Sequence, residues 1–159
     1  MQNFFTGFFQ LGYVTRDLDA AITAFNAKFG PVDFLVNEPG VVDGRPAPTR
    51  RIALAWIDAV MTEIIEPDPA QATIYDDRIP PSAGPIWLHH FGYLIDNHQA
   101  MLNRLQTMGY AVPLAGSMDG ALDYSYADTR CDLGVWSEFI RLDEGGRTFF
   151  GSVPRISTK

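Results

Sequence analysis

Four residues of this chain are of types that can hold a divalent cation: Gln10, Glu63, His90 and Glu138. One imidazole nitrogen, two carboxylates and an amide oxygen form a mixed set that admits Zn, Ni, Co, Fe, Mn or Mg without selecting among them. Taken alone, His90 reads as readily as a satisfied interior histidine. What draws the four together is their place in an internal repeat.

The first copy runs Phe8-Phe9-Gln10-Leu11-Gly12-Tyr13-Val14-Thr15, then an Asp17-led segment to Phe29-Gly30; the second runs Leu88-His89-His90-Phe91-Gly92-Tyr93-Leu94-Ile95, then an Asp96-led segment to Met108-Gly109. Asp17 and Asp96 are read as helix caps, since a carboxylate can accept the orphan amide hydrogens of a first turn. Leu18, Ile22, Phe25 and Phe29 recur at spacings of three and four, as do Met101, Leu105 and Met108, which predicts one apolar face on each helix. Gly30 and Gly109 mark the stops. Three strand candidates follow each helix: 32–37, 51–57 and 59–66, then 110–114, 121–127 and 134–142. The expected fold is therefore α+β, two βαβββ modules, with 1–67 as the first, a proline-punctuated linker at 68–86, the second at 87–146 and a C-terminal tail at 147–159.

Overlaying the copies sets Gln10 against His90 and, on the fourth strands, Glu63 against Glu138. Side chains two apart share a strand face, so Glu63 keeps company with Met61 and Ile65, and Glu138 with Trp136 and Ile140. A carboxylate in such surroundings is costly to desolvate unless it is paired or bound to metal. A cation shared by all four residues would remove that conflict.

Other polar residues carry less specific expectations. His89 alternates to the opposite strand face and is read as structural, and His98 as an exposed residue of a first helical turn. Glu66 and Arg141, at equivalent strand exits, are read as surface charges. Arg130 either grips a substrate carboxylate or phosphate, or pairs with Asp128 or Asp132. The single Cys131 excludes an internal disulfide, fits a reducing cytoplasm, and is expected to be a buried spectator. Phe8, Phe9, Trp56, Phe91, Tyr93, Tyr124, Tyr126 and Trp136 either wall a pocket for an apolar or aromatic carbonyl compound or fill a core.

At 159 residues with 47% apolar content, the chain has ample material for a core. Its net charge of −7 argues against nucleic acid and anionic lipid as partners. Met1-Gln2-Asn3-Phe4-Phe5 lacks the basic start and apolar run of a signal peptide, and no apolar run reaches membrane-spanning length, so a cytoplasmic protein is expected.

Together, Gln10-Leu11-Gly12-Tyr13, Glu63-Ile64-Ile65-Glu66-Pro67, His90-Phe91-Gly92-Tyr93, Ala127-Asp128-Thr129-Arg130, Leu133-Gly134 and Glu138-Phe139-Ile140 resemble the vicinal oxygen chelate superfamily, in its glyoxalase-like branch. The resemblance covers nearly the whole chain. The Gln, Glu, His, Glu set is similar to that of eukaryotic-type glyoxalase I, whereas the Glu63 to Pro67 run and the short loops are more similar to methylmalonyl-CoA epimerases. It implies one divalent ion on Gln10, Glu63, His90 and Glu138, and a lyase, isomerase or epimerase that removes a proton beside a carbonyl through a metal-stabilised enolate. Glu138 is then the base and Glu63 its symmetry-related partner. Related proteins often dimerise, and Phe4-Phe5 and Phe149-Phe150 are candidates to cover a second copy. The rival of another class is a non-catalytic binder of bleomycin-resistance type; a ring-cleaving dioxygenase is disfavoured because Gln10 stands where its iron set needs a histidine.

Overall fold

The computed structural model describes residues 3–157; the first two residues of the run read for a leader, and the last two of the C-terminal tail, lie outside the described residues. In chain order the elements are β1 (Phe8–Val14), α1 (Leu18–Phe29), β2 (Leu35–Asn37), β3 (Val41–Val42), β4 (Arg45–Pro46), β5 (Thr49–Ile57) and β6 (Val60–Pro67). A 3-10 turn (Asp76–Arg78) precedes β7 (Trp87–Leu94), α2 (His98–Met108), β8 (Leu114–Met118), β9 (Leu122–Ala127), α3 (Arg130–Leu133), β10 (Trp136–Leu142), α4 (Glu144–Ser152) and β11 (Arg155–Ile156). The α+β order strand, helix, three strands occurs twice, as β1-α1-β2-β5-β6 and as β7-α2-β8-β9-β10.

The chain falls into two compact units, one of residues 3–10 with His90–Ser152, the other of Leu11–His89 with residues 153–157. In the first, the strand order is β7-β10-β9-β8; in the second it is β11-β5-β6, with β2 also on β5, and β3 with β4 forms a separate hairpin. Equivalent backbone bonds recur: Thr15 donates to Ile65 and Ile95 donates to Ile140, each at 2.9 Å.

Each unit seats a helix on one face of its strands. Leu18 and Ala21 of α1 pack with Ala53 and Ile64, and Leu105 of α2 with Tyr93, Ala127 and Phe139. The predicted stripes hold near the middle of each helix and fail at its end, where Phe29 and Met108 are exposed because the last turn overruns the cluster below. Asp17 caps α1, accepting from the Ala20 amide at 3.0 Å. At α2 the expectation is corrected: Asn97, not Asp96, is the cap, accepting from Ala100 at 2.9 Å. Gly109 ends α2 at φ 82°, a left-handed conformation that suits glycine.

Strand limits shift for local reasons. Val32 exchanges two hydrogen bonds with the Asn26 side chain, so β2 starts only at Leu35. Tyr110 closes the end of α2 by donating to Leu105, and Pro113 has no amide hydrogen, so β8 begins at Leu114 rather than Tyr110. The β3–β4 hairpin turns through Asp43 and Gly44 at φ 51° and 71°, the conformation favoured by an Asp-Gly pair.

The proline-rich connection is tied down rather than loose. Pro80 and Pro85 carbonyls accept from Arg16 Nε at 3.0 Å and Thr15 Oγ1 at 3.1 Å, and Ile86 packs against the α1 cluster. Residues 153–157 return to β5, where β11 runs parallel to it. Among the described residues, no helix is long and apolar enough to cross a membrane.

Candidate functional site

The face of the first unit turned away from α2 is built by β7, β10 and β9. In their ladder Trp136 lies opposite His90, Glu138 opposite Gly92, and on the other side Glu138 opposite Tyr126. Alternation sends Phe139 to the α2 cluster and leaves Trp136, Glu138 and Ile140 on the other face. The β-strand reading of Glu138 therefore holds residue by residue.

His90 is wholly buried and Glu138 is 5% exposed; their Nε2 and Oε2 atoms are 3.2 Å apart. Tyr126 stands edge-on to the imidazole with ring centroids 5.1 Å apart, which fixes the ring plane. Gln10, 1% exposed, lies over Gly92: a Cβ built there would fall 2.7 Å from the Gln10 Cβ, so the glycine leaves room for the amide side chain. An imidazole nitrogen and a carboxylate oxygen at this separation serve either as hydrogen-bond partners or as adjacent ligands to one cation. With the nearby amide oxygen, this donor set suits a divalent ion of hard or borderline character.

In the second unit, Glu63 sits on β6 opposite Leu54, between Met61 and Ile65, at 8% exposure. Ile64 turns to the α1 cluster, so Glu63 occupies the face turned away from α1, as Glu138 occupies the face turned away from α2 in its own unit. Trp56, opposite Met61, shares that face.

Glu66 is not a surface charge. Its carboxylate is buried, accepts the Leu18 amide hydrogen at 2.8 Å and pairs with Arg51 at 2.7 Å, because the end of β6 tucks beneath the start of α1. Arg141 is likewise bound, to Asp123 at 2.7 Å and Asp143 at 2.6 Å. It holds the Asp143 carboxyl below its usual range, while Asp123 is lowered first by the Ser117 hydroxyl and then by Arg141. His89 is buried, with Nε2 3.1 Å from the Ile74 carbonyl and its ring against Tyr75, an interior structural position. His98 is half-buried rather than exposed, and burial pushes its imidazole below the ordinary value. Cys131 is exposed, not buried, because the short α3 lies at the surface; the hydrogen bond to Asp132 raises its thiol.

The eight aromatic candidates divide. Tyr124, Tyr126 and Trp136 line the face carrying Glu138, and Trp56 the face carrying Glu63. Tyr93 and Phe91 belong to the α2 core, Phe8 packs against both, and Phe9 meets Phe150 of α4. Phe4 is edge-on to Phe139 at 5.3 Å, so it and Phe150 are engaged within their own unit. Two features escaped the sequence, the room that Gly92 leaves for Gln10 and the seat of Arg130 over Trp136, whereas the Arg130–Asp128 pair was among the expectations. Gly92 matters for what it leaves vacant, and its match to Gly12 was the available signal. Arg130 lies 4.5 Å above the Trp136 ring and is gripped by Asp128, whose carboxyl it holds below the usual range.

A family model described as the Glyoxalase/Bleomycin resistance protein/Dioxygenase superfamily matches residues 9–127, and the chain belongs to that superfamily. No curated protein sequence matches it. Among solved structures, a variant of Streptomyces coelicolor methylmalonyl-CoA epimerase in complex with 2-nitronate-propionyl-CoA is similar at TM-score 0.57 and 17% identity, over 86% of this chain and 96% of that one. Methylmalonyl-CoA epimerase from Mycobacterium tuberculosis gives 0.57 and 19%, over 89% and 92%. A hypothetical protein from Bacillus halodurans gives 0.61 and 14%, over 86% and 94%. At these identities the likeness is one of fold, and the fold is glyoxalase-like α+β.

Proposed function

We propose that this protein is a divalent-metal-dependent lyase, isomerase or epimerase that removes a proton beside a carbonyl, with Gln10, Glu63, His90 and Glu138 as the metal ligands. The observation that carries the reading is the buried His90–Glu138 pair at 3.2 Å on the strand face turned away from α2. Superfamily membership supports it. So does the equivalent placement of Glu63 and Glu138, each on the fourth strand of its module and each turned from the helix.

A divalent ion held there supplies Lewis-acid polarisation of the substrate carbonyl. The chain's own residues do the rest. Glu138, ionised, takes the proton from the carbon beside the carbonyl; when the outcome is epimerisation, its repeat-related counterpart Glu63 enters the step as the carboxylic acid, gives its proton from the opposite side and ends ionised, and proton exchange with solvent restores both groups. Tyr126 keeps the imidazole of His90 in plane, and Trp136 and Tyr124 form apolar walls that exclude water and favour an apolar acyl group. The epimerases of similar fold bind coenzyme A thioesters, which makes a thioester the first candidate substrate.

The test is exchange in deuterated water. Protein reconstituted with Mn, Co, Ni or Zn is incubated with acyl thioesters, ketones and hemithioacetals, and label entering beside the carbonyl is followed by mass spectrometry. Metal-dependent labelling is expected with at least one class, slowed about 10²- to 10⁴-fold by Glu138→Gln. Labelling that survives Glu138→Gln at full rate removes Glu138 as the base. Ligand affinity with no labelling in any class would instead favour a binding protein.

A further inference from the structure

We propose that Arg130 is a specificity-determining residue that binds an oxyanion group of the substrate, a carboxylate or a phosphate, beside the His90–Glu138 face; the proposal rests on that face being where substrate binds. The first support is position. Trp136 is opposite His90 in the ladder and two residues before Glu138, and the Arg130 guanidinium carbon stands 4.5 Å over its ring. A cation is thus held next to the groups assigned to catalysis.

The second support is that the segment is built to hold this cation still. Asp128 engages Nε at 2.8 Å and one terminal nitrogen at 2.7 Å, and the guanidinium carbon stands over the Trp136 ring within cation–π range. A four-residue helix such as α3 has little stability of its own. It is pinned instead: the buried Thr129 hydroxyl bonds to the Val135 carbonyl at 2.7 Å and lies 2.9 Å from the Ser137 hydroxyl. The Asp128 amide donates to Ala111 at 2.9 Å, and Tyr110 donates to Asp132 at 2.7 Å. A flat guanidinium held in this way matches a planar carboxylate or a phosphate better than a mobile ammonium does.

The test uses full-length protein and three probes, malonate, inorganic phosphate and the neutral malonamide, titrated by calorimetry and by tryptophan fluorescence. Wild type is expected to bind at least one of the two anions, and whichever binds identifies the oxyanion. Arg130→Gln should weaken that probe roughly tenfold, the scale of one charge-assisted contact, and leave malonamide unchanged. Asp128→Asn, which keeps the guanidinium and removes its counter-charge, should tighten the same probe. The proposal is overturned if wild type binds neither anion, if both variants match wild type, or if Arg130→Gln weakens malonamide equally. Manganese binding to the same samples separates the two readings: wild type that binds the anion but no manganese sinks the metal centre and leaves Arg130 standing.

Discussion

Gly92 lacks a side chain where Gln10 needs the space, and this dependence makes a test at the level of single residues. Gly92→Ala would drive a methyl group to within 2.7 Å of the Gln10 Cβ, in a place where both residues are buried. Overpacking of this kind is expected to cost about 1 to 3 kcal/mol in urea unfolding and to weaken metal binding by displacing the amide. Unchanged stability and unchanged metal affinity would show that Gln10 is free to move and holds no ligand position. The match of Gly12-Tyr13 to Gly92-Tyr93 was legible in the sequence, but its reason was not. A repeat reveals which positions correspond; only packing reveals which atoms compete for one volume.

Among the elements, β6 and β10 explain both what the sequence disclosed and what it hid. Their two-residue alternation correctly separates Glu63 and Glu138 from Ile64 and Phe139, which go to the helix clusters. Alternation could not disclose that β6 is buried on both faces, and so Glu66 read as a surface charge. It is in fact the link between β6 and α1, through the Leu18 amide and Arg51. Glu66→Ala should therefore cost about 1 to 3 kcal/mol, the scale for leaving the buried Leu18 amide without its acceptor, measured by chemical unfolding. A loss below about 0.5 kcal/mol, the range of ordinary surface substitutions, would return Glu66 to the surface role first read for it. The short elements α3 and α4 were missed for a related reason. Neither Arg130–Leu133 nor Glu144–Ser152, with its three glycines, has strong helical preference; Thr129 hydroxyl bonds and the Phe9–Phe150 contact hold them in place.

For the whole molecule, the decisive property is that one pattern is written twice. Backbone bonds at Thr15–Ile65 and Ile95–Ile140 occupy equivalent places, and each module puts a glutamate on the face of its fourth strand turned away from its long helix. Fold class was legible because the repeat multiplied weak signals, each strand and helix being supported by its counterpart. Chemistry was less so: the four candidate positions follow from the overlay, whereas the reaction depends on an ion and a substrate that residue types do not name. The proposed centre draws Gln10 and Glu63 from the first copy and His90 and Glu138 from the second, so its ligands span the repeat. Cobalt(II) titration followed by visible absorption reads that claim most directly, since its d–d bands report the ligands themselves. The expected result is one cobalt per chain, with bands abolished or shifted by His90→Gln and also by Glu63→Gln, while both variants remain folded. A folded wild-type chain that takes up no cobalt, or bands indifferent to either substitution, would contradict a single ion shared by the two halves.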